Sequence, residues 1–301
     1  MALLDGRWVT DGGLETDLIF NHGIDLPSFA AFPLLDGADG TALLGRYYAD
    51  YAAIAHAAGA GLLLETPTWR ANSAWGSGLG YDEASLDRVN REAVALVRAV
   101  LAGADVQDGR VSGCIGPRGD GYMAAGSDAD EAAEFHLLQV RSLADAGADL
   151  VHAMTMTEPA EAIGVVRAAR SVGVPVSISF TVETDGRLPG GSLLVDAIRA
   201  VDAAAPADFY GLNCAHPTHV LPALDDEPWQ DRLTFFRPNA STLSHAELDQ
   251  MEELDAGDLP LLVSATRDLL ARLPGVTVVG GCCGTDSRHV AALWGTAVGP
   301  H

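Results

Sequence analysis

Of the four cysteines in this chain, two are adjacent: Cys282 and Cys283, in "GVTVVGGCCGTDSRHV" at residues 275–290. Gly280, Gly281 and Gly284 bracket them, directly after an apolar run. The other two are Cys114 and Cys214, and all four fall at the ends of short apolar runs, where chance would scatter some into helices. Adjacent cysteines rarely bridge each other, because the small ring strains the backbone away from ordinary disulfide geometry. The chemistry that suits them is ligation of a soft metal ion. Thiolates from Cys214, Cys282 and Cys283 at about 2.3 Å would hold a zinc ion and leave one tetrahedral position open, as a catalytic site requires. The flanking glycines are expected to supply the unusual backbone angles that turn two consecutive side chains toward one ion. Cys114 reads as an ordinary buried thiol, behaving as a small hydrophobe.

These cysteines can meet only if the fold brings distant segments together. Along the chain, short apolar runs alternate with longer Ala-rich stretches of helical period. The strand candidates are residues 7–13, 61–66, 110–116, 149–155, 175–181, 208–214, 233–239 and 275–281. Helix candidates lie at 41–59, 83–101, 129–146, 159–172, 192–204, 244–254, 259–272 and 286–298. Within 41–59, Leu44, Tyr47, Tyr48, Tyr51, Ile54, Ala55 and Ala58 recur at spacings of three and four. "GSDADEAAEF" opens the third helix with a capping serine or aspartate and acids in its first turn. Apolar strands without alternation imply a parallel sheet covered on both faces. Eight such units fit an α/β chain closed as a (β/α)8 TIM barrel. An open doubly wound sheet would ask for a glycine-rich phosphate loop after its first strand. "DGGLET" is not that motif, and "GSGLG" (76–80) follows polar sequence.

In such a barrel, function collects at the C-terminal strand ends. Here those ends read Asp11-Gly12-Gly13, Glu65-Thr66, Cys114, Met154-Thr155, Thr181, Asn213-Cys214, Arg237 to Asn239, and Cys282-Cys283. The sixth and eighth strands stand two apart on the rim, a gap that cysteine side chains can close over one ion.

Composition bounds the rest. The 301 residues are 48% hydrophobic, enough for a large core, and no linker or composition shift divides residues 1–301, which read as a single barrel domain. A net charge of −23 with only 18 Lys+Arg argues against nucleic-acid or anionic-membrane partners, which need clustered cations. No apolar run of about 18 residues suggests a membrane span. The opening "MALLDGRWVTDGG" does not read as a signal peptide. Four cysteines in a chain this long do not resemble a disulfide framework, so reduced thiols in a cytoplasm are expected. Oligomeric state is left open.

"DGGLET" (11–16), "GLNC" (211–214) and "GGCCGT" (280–285) resemble the three signature segments of the homocysteine S-methyltransferase family, in the same order and spanning residue 11 to about 296. The resemblance implies a TIM barrel, zinc on Cys214, Cys282 and Cys283, and a thiol substrate as fourth ligand. It also implies methyl transfer from a small donor, S-methylmethionine or S-adenosylmethionine, to a thiol. Homocysteine, giving methionine, is the first acceptor to consider, and betaine is a less favoured donor. The chain has no room for the folate and cobalamin modules of large methionine synthases. The chemistry agrees: a free thiol has a pKa near 8.5 and reacts as its thiolate, and metal binding deprotonates it outright. No general base is then required, and no catalytic side chain is assigned beyond the activated substrate thiol.

The family further implies that Asp11 and a glutamate closing the fourth strand hold the substrate amine. In "DLVHAMTMTEP" that pair is Met154-Thr155, and the nearest acid is Glu158. Losing one carboxylate removes a charge-assisted hydrogen bond worth about 1.5–3 kcal/mol. Either Glu158, Glu65 or Glu15 substitutes, or the acceptor is another thiol. The substrate-binding candidates are therefore Asp11, Gly12, Glu65, Met154, Thr155 and Asn213. Glu65 reads equally as a structural pair at the rim. Trp69 and Trp75 could receive a methylsulfonium by cation–π attraction or simply pack. The loop 181–191 could cover the site or merely connect, and His216 reads as a neighbour of the metal site or a helix-start residue. Two further readings are a non-catalytic metal- or thiol-binding protein on this scaffold, and a zinc lyase or hydrolase. The latter would need a positioned acid or base that the strand ends do not offer.

Overall fold

The computed structural model describes residues 3–251 and 253–297. Eight parallel strands close into a barrel in sequence order: β1 (Trp8–Thr10), β2 (Gly61–Glu65), β3 (Gly109–Ile115), β4 (Leu150–Met156), β5 (Val176–Phe180), β6 (Phe209–Asn213), β7 (Leu233–Arg237) and β8 (Val278–Val279). Closure is made by Trp8 and Val9 of β1 in register with Val278 and Val279 of β8. Every strand candidate is present, six of them shortened and the third and fourth shifted by one residue. The expected TIM barrel is the observed fold.

The helices follow from local chemistry. Helix Glu83–Gly103 starts where Asp82 accepts from the Ser85 N–H, and helix Ala129–Asp145 where Asp128 accepts from Asp130 and Glu131. Helix Pro159–Val172 carries proline in its first turn and stops at Gly173 in a left-handed conformation. Their apolar faces pack on the outside of the barrel around Tyr48, Tyr51, Val97, Leu143, Val165 and Ile198. Candidate 244–254 departs from expectation. It yields only the turn His245–Leu248, begun by a reciprocal Ser244–Glu247 cap. Asp249 stands at its C-terminal end, where a negative charge opposes the helix dipole, and the chain leaves the helix there. The last helix runs Ser287–Trp294, and the end of the 286–298 candidate lies outside the described residues, as do the extremes of the 1–301 span.

Inside the barrel, side chains stack in layers because residues two apart on a strand share a face. Trp8, Leu63, Leu150, Phe235 and Val278 form an apolar floor with Leu4. One layer further toward the C-terminal ends, the same strands present Thr10, Glu65, His152 and Arg237, all buried. The barrel therefore turns polar one layer below the rim. Among the described residues, no helix is long and apolar enough to cross a membrane.

Candidate metal and substrate site

The cysteines of β6 and β8 meet at the rim. Cys214 follows β6 with φ of 55°, and Cys282-Cys283 follow β8 across Gly280-Gly281. Their three Sγ atoms all lie within 4.8 Å of one another, the one such cluster among the described residues. Cys214 Sγ and Cys283 Sγ stand 3.8 Å apart. Tetrahedral zinc with Zn–S bonds of about 2.3 Å requires sulfurs about 3.8 Å apart, so this pair already has a ligand spacing. The third spacing differs, because Cys214 and Cys282 are joined as a disulfide with their Cα atoms 5.4 Å apart. The expectation of reduced thiols throughout is thus corrected: Cys114 and Cys283 are free, and the other two are bridged. Bridging and metal ligation are alternative states of the same converging sulfurs. The donor set itself, three thiols and nothing harder, suits a soft or borderline cation.

Gly280 and Gly281 are not in left-handed conformations, so the expected reason for them is corrected too. A Cβ on Gly280 would lie 2.5 Å from Asp11 O, and one on Gly281 would overlap the Thr285 hydroxyl. The glycines permit close approach of the first and last signature segments, which hydrogen-bond directly: Gly281 N–H to Asp11 O (2.9 Å) and Gly13 N–H to Thr285 O (3.0 Å). The left-handed positions are instead Cys214 and Gly284.

Neighbouring groups fix the cysteines. The Asn213 amide donates to Thr155 Oγ1 (2.8 Å) and lies 3.6 Å from Cys282 Sγ, while its oxygen accepts from the Thr155 N–H (2.7 Å). The Cys214 carbonyl accepts from Asn239 (3.1 Å) and His245 Nε2 (2.6 Å). His245 in turn meets Glu183 at 2.9 Å and stacks on Tyr122, whose hydroxyl is 3.7 Å from Cys283 Sγ. Burial pushes the Cys283 thiol up to about 11, partly offset by that tyrosine contact.

A cavity of about 440 Å³ opens over the three cysteines. Asp11, Gly12, Glu65, Met154, Thr155 and Asn213 all line it, together with Cys114, whose thiol burial raises well above its ordinary value. The structure therefore brings together every residue proposed for metal and substrate, though not every alternate. Glu15 lines the cavity, and burial pushes its carboxyl up to about 7. Glu158 is not among the lining residues and accepts from the Ser127 N–H (3.0 Å). Trp69 lines the wall but Trp75 does not, and no residue of 181–191 reaches it. That loop is pinned from outside through Glu183 and His245. His216 caps the helix Pro217–Val220, accepting from the Thr218 N–H. Burial, with His219 beside it, lowers its pKa to about 4.

Sequence reasoning left Arg237 and His152 without a role. Arg237 is buried, and all five of its N–H groups are used: on Gly281 O, Thr10 Oγ1, Gly12 O and both oxygens of Asp11. Glu65 Oε1 lies 3.6 Å from it and 2.6 Å from His152 Nδ1, and His152 Nε2 reaches Ser179 at 2.7 Å. Burial opposes the charge on Arg237, but Asp11 and Glu65 outweigh it and hold the guanidinium protonated. The only hint in the sequence was an arginine closing the apolar run "LTFF" and a histidine inside "DLVHAM".

Residues 8–296 match the family described as Homocysteine S-methyltransferase. Homocysteine S-methyltransferase 3 of Zea mays is 25% identical over 317 residues, covering 96% of this chain and 89% of its own length. Among solved structures, the metallated form of the homocysteine methyltransferase MmuM from Escherichia coli matches with a TM-score of 0.76 at 22% identity, over 97% of this chain and 96% of that one. Its oxidized form gives 0.75 at the same identity, over 95% and 94%. At that identity the structural likeness carries the fold alone.

Proposed function

The chain belongs to the homocysteine S-methyltransferase family, and on that premise we propose that it moves a methyl group from a small sulfonium donor to a thiol, with zinc held by Cys214, Cys282 and Cys283. S-methylmethionine or S-adenosylmethionine is the donor of this reading, and homocysteine, giving methionine, its first acceptor. The observation that carries it is the convergence of three sulfur donors at the wall of one cavity. When bound, the ion would lower the acceptor thiol's pKa so that its sulfur is present as the nucleophilic thiolate.

The chain's own residues supply the setting. In the transfer, an acceptor sulfur lone pair forms the new bond to the methyl carbon as the donor S–C bond breaks. The donor then leaves as a neutral sulfide. A thiolate and a sulfonium cancel each other's charge in this step, so a site screened from water favours it. Met154 and Cys114 add apolar surface to the cavity wall, and Phe20 offers an aromatic face to a cationic methyl group. Asp120, Asp249, Glu253 and Asp255 also line the cavity, so its field draws a cation and repels a polyanionic donor. A cytoplasmic, reducing compartment suits the three cysteines as ligands.

The test pairs composition with turnover. Reduced protein should hold about one zinc per chain by elemental analysis, matching one three-cysteine site, and Cys282→Ser should lose it. Incubation with S-methylmethionine and a panel of thiols should give methylated product by mass spectrometry. Full activity in metal-free wild type would sink the reading, and metal binding without turnover on any thiol would favour the non-catalytic alternative.

A further inference from the structure

We propose that Arg70 anchors the carboxylate of the acceptor thiol, so that recognition in this chain turns on that carboxylate and not on the ammonium; this rests on the S-methyltransferase reading above. The two acids that close the barrel interior beneath the cavity, Asp11 and Glu65, are engaged with Arg237. Asp11 accepts from Arg237 through both oxygens, and its Oδ1 also accepts from Thr10 and from the Glu65 N–H. Glu65 gives Oε1 to His152 and Arg237, and its Oε2 is buried without a hydrogen-bond partner. Position 154 carries a methionine and Glu158 faces elsewhere. Glu15 remains, raised by burial to about 7, and of the other acids on the cavity wall Asp120, Asp249 and Glu253 are exposed to water while Asp255 accepts from Ser241 and the Gly257 N–H.

Arg70 is in the opposite condition. It lines the same cavity as the cysteines. Its guanidinium lies 3.8 Å from the Trp75 ring, 5.0 Å from Trp69 and 5.8 Å from Phe29, so its plane is fixed by aromatic faces. Nη1 donates to Ser28 O. Among the described residues no carboxylate comes within ion-pair distance, and Glu15, Asp120 and Cys283 act on it only electrostatically. The Arg70 Nε is buried and has no hydrogen-bond partner. With all five N–H groups of Arg237 spent, Arg70 is the one guanidinium of the cavity wall with a donor to offer. A planar cation held at that wall recognises a carboxylate.

A carboxylate could also come from an amino-acid donor, so the experiment has two arms. The acceptor arm compares homocysteine with 4-sulfanylbutanoate, which lacks the amine, and 3-sulfanylpropan-1-amine, which lacks the carboxylate. The donor arm compares S-methylmethionine with trimethylsulfonium. Calorimetry of the three thiols on the reduced zinc-loaded protein, without donor, reads recognition independently of turnover. Removing the amine is expected to change affinity and kcat/KM by less than about 3-fold, and removing the carboxylate to lower both by about 10- to 100-fold. In Arg70→Gln the advantage of carboxylate-bearing thiols should disappear. A larger penalty for losing the amine overturns the proposal. So does an Arg70→Gln effect equal on all three thiols, or one confined to the donor arm. Absence of methylated product from every thiol would refute the methyltransferase reading, while the calorimetry would still decide the role of Arg70.

Discussion

Arg237→Met removes the cation that two buried carboxylates share. Arg237 is 2% exposed, Asp11 and Glu65 3% each, so water cannot replace the lost partner. The guanidinium contacts Asp11 at 3.2 and 3.3 Å and Glu65 at 3.6 Å, and it also ties Gly12 O to Gly281 O across the closing seam of the barrel. Stranding a buried charge by deleting its partner costs about 3–5 kcal/mol. Against a total stability of about 5–15 kcal/mol that is a large fraction. At roughly 2–4 °C per kcal/mol for a chain of this size class, the melting temperature should fall by about 6–20 °C. Urea unfolding followed by circular dichroism would measure it on wild type, Arg237→Met and Asp11→Asn/Arg237→Met. The double variant removes one stranded charge and should recover part of the loss, because contacting residues are not additive. A single-variant cost below about 1 kcal/mol, or a double variant no better than the single, would show that the cluster is not held by this arginine.

Two other outcomes follow from the same site. Glu15 has a folded-state pKa raised by burial from 4.5 to about 7, so its ionisation costs stability progressively as pH rises through that window. Glu15→Gln should therefore gain on wild type between pH 4.5 and about 7 and hold a constant advantage above; unfolding curves at a series of pH values with a flat difference would contradict this. In Gly281→Ala the added Cβ would overlap the Thr285 hydroxyl, which holds Cys282 O at 2.7 Å. Metal affinity by chelator competition should weaken by about 10-fold or more, as for other groups that orient ligands. Unchanged affinity would mean that this turn does not set Cys282.

Much of this architecture was legible because it rests on local patterns. Apolar runs without alternation marked the strands, and apolar spacing of three and four with a cap such as Asp128 marked the helices. The cysteines could be grouped because parallel strand ends share one rim, so reading only those ends collected Cys214, Cys282 and Cys283 from distant segments. Side-chain pairings between strands were not legible in the same way. Nothing local tells that Arg237 spends its donors on Gly281 and on residues 10–12 at the far end of the chain, or that His152 faces Glu65 and not the helices. Gly284 takes the left-handed φ expected of it, but Gly280 and Gly281 were noticed for the wrong reason, since close approach and free φ leave the same residue in the sequence. The turn His245–Leu248 was overread as a longer helix because apolar spacing continued past Asp249, whose charge ends it.

The backbone around position 154 bears on what the missing glutamate means. β4 slips register against β5 between Ala153 and Met156, and Thr155 there takes a φ of 62°, as Cys214 takes 55°. Non-glycine residues in that region cost of order 1–3 kcal/mol each and persist only where surrounding contacts over-determine them. Here the two strained residues are tied by one side chain, Asn213, which exchanges two hydrogen bonds with Thr155 and sits directly before Cys214. A bulge of this kind re-aims side chains toward a site, and it aims Met154 into the cavity wall. The bulge presents a thioether to the cavity at the position where the family resemblance implied a carboxylate. The altered element is therefore recognition, which is why the acceptor's amine, and not the metal site, is the feature this chain is expected to treat differently.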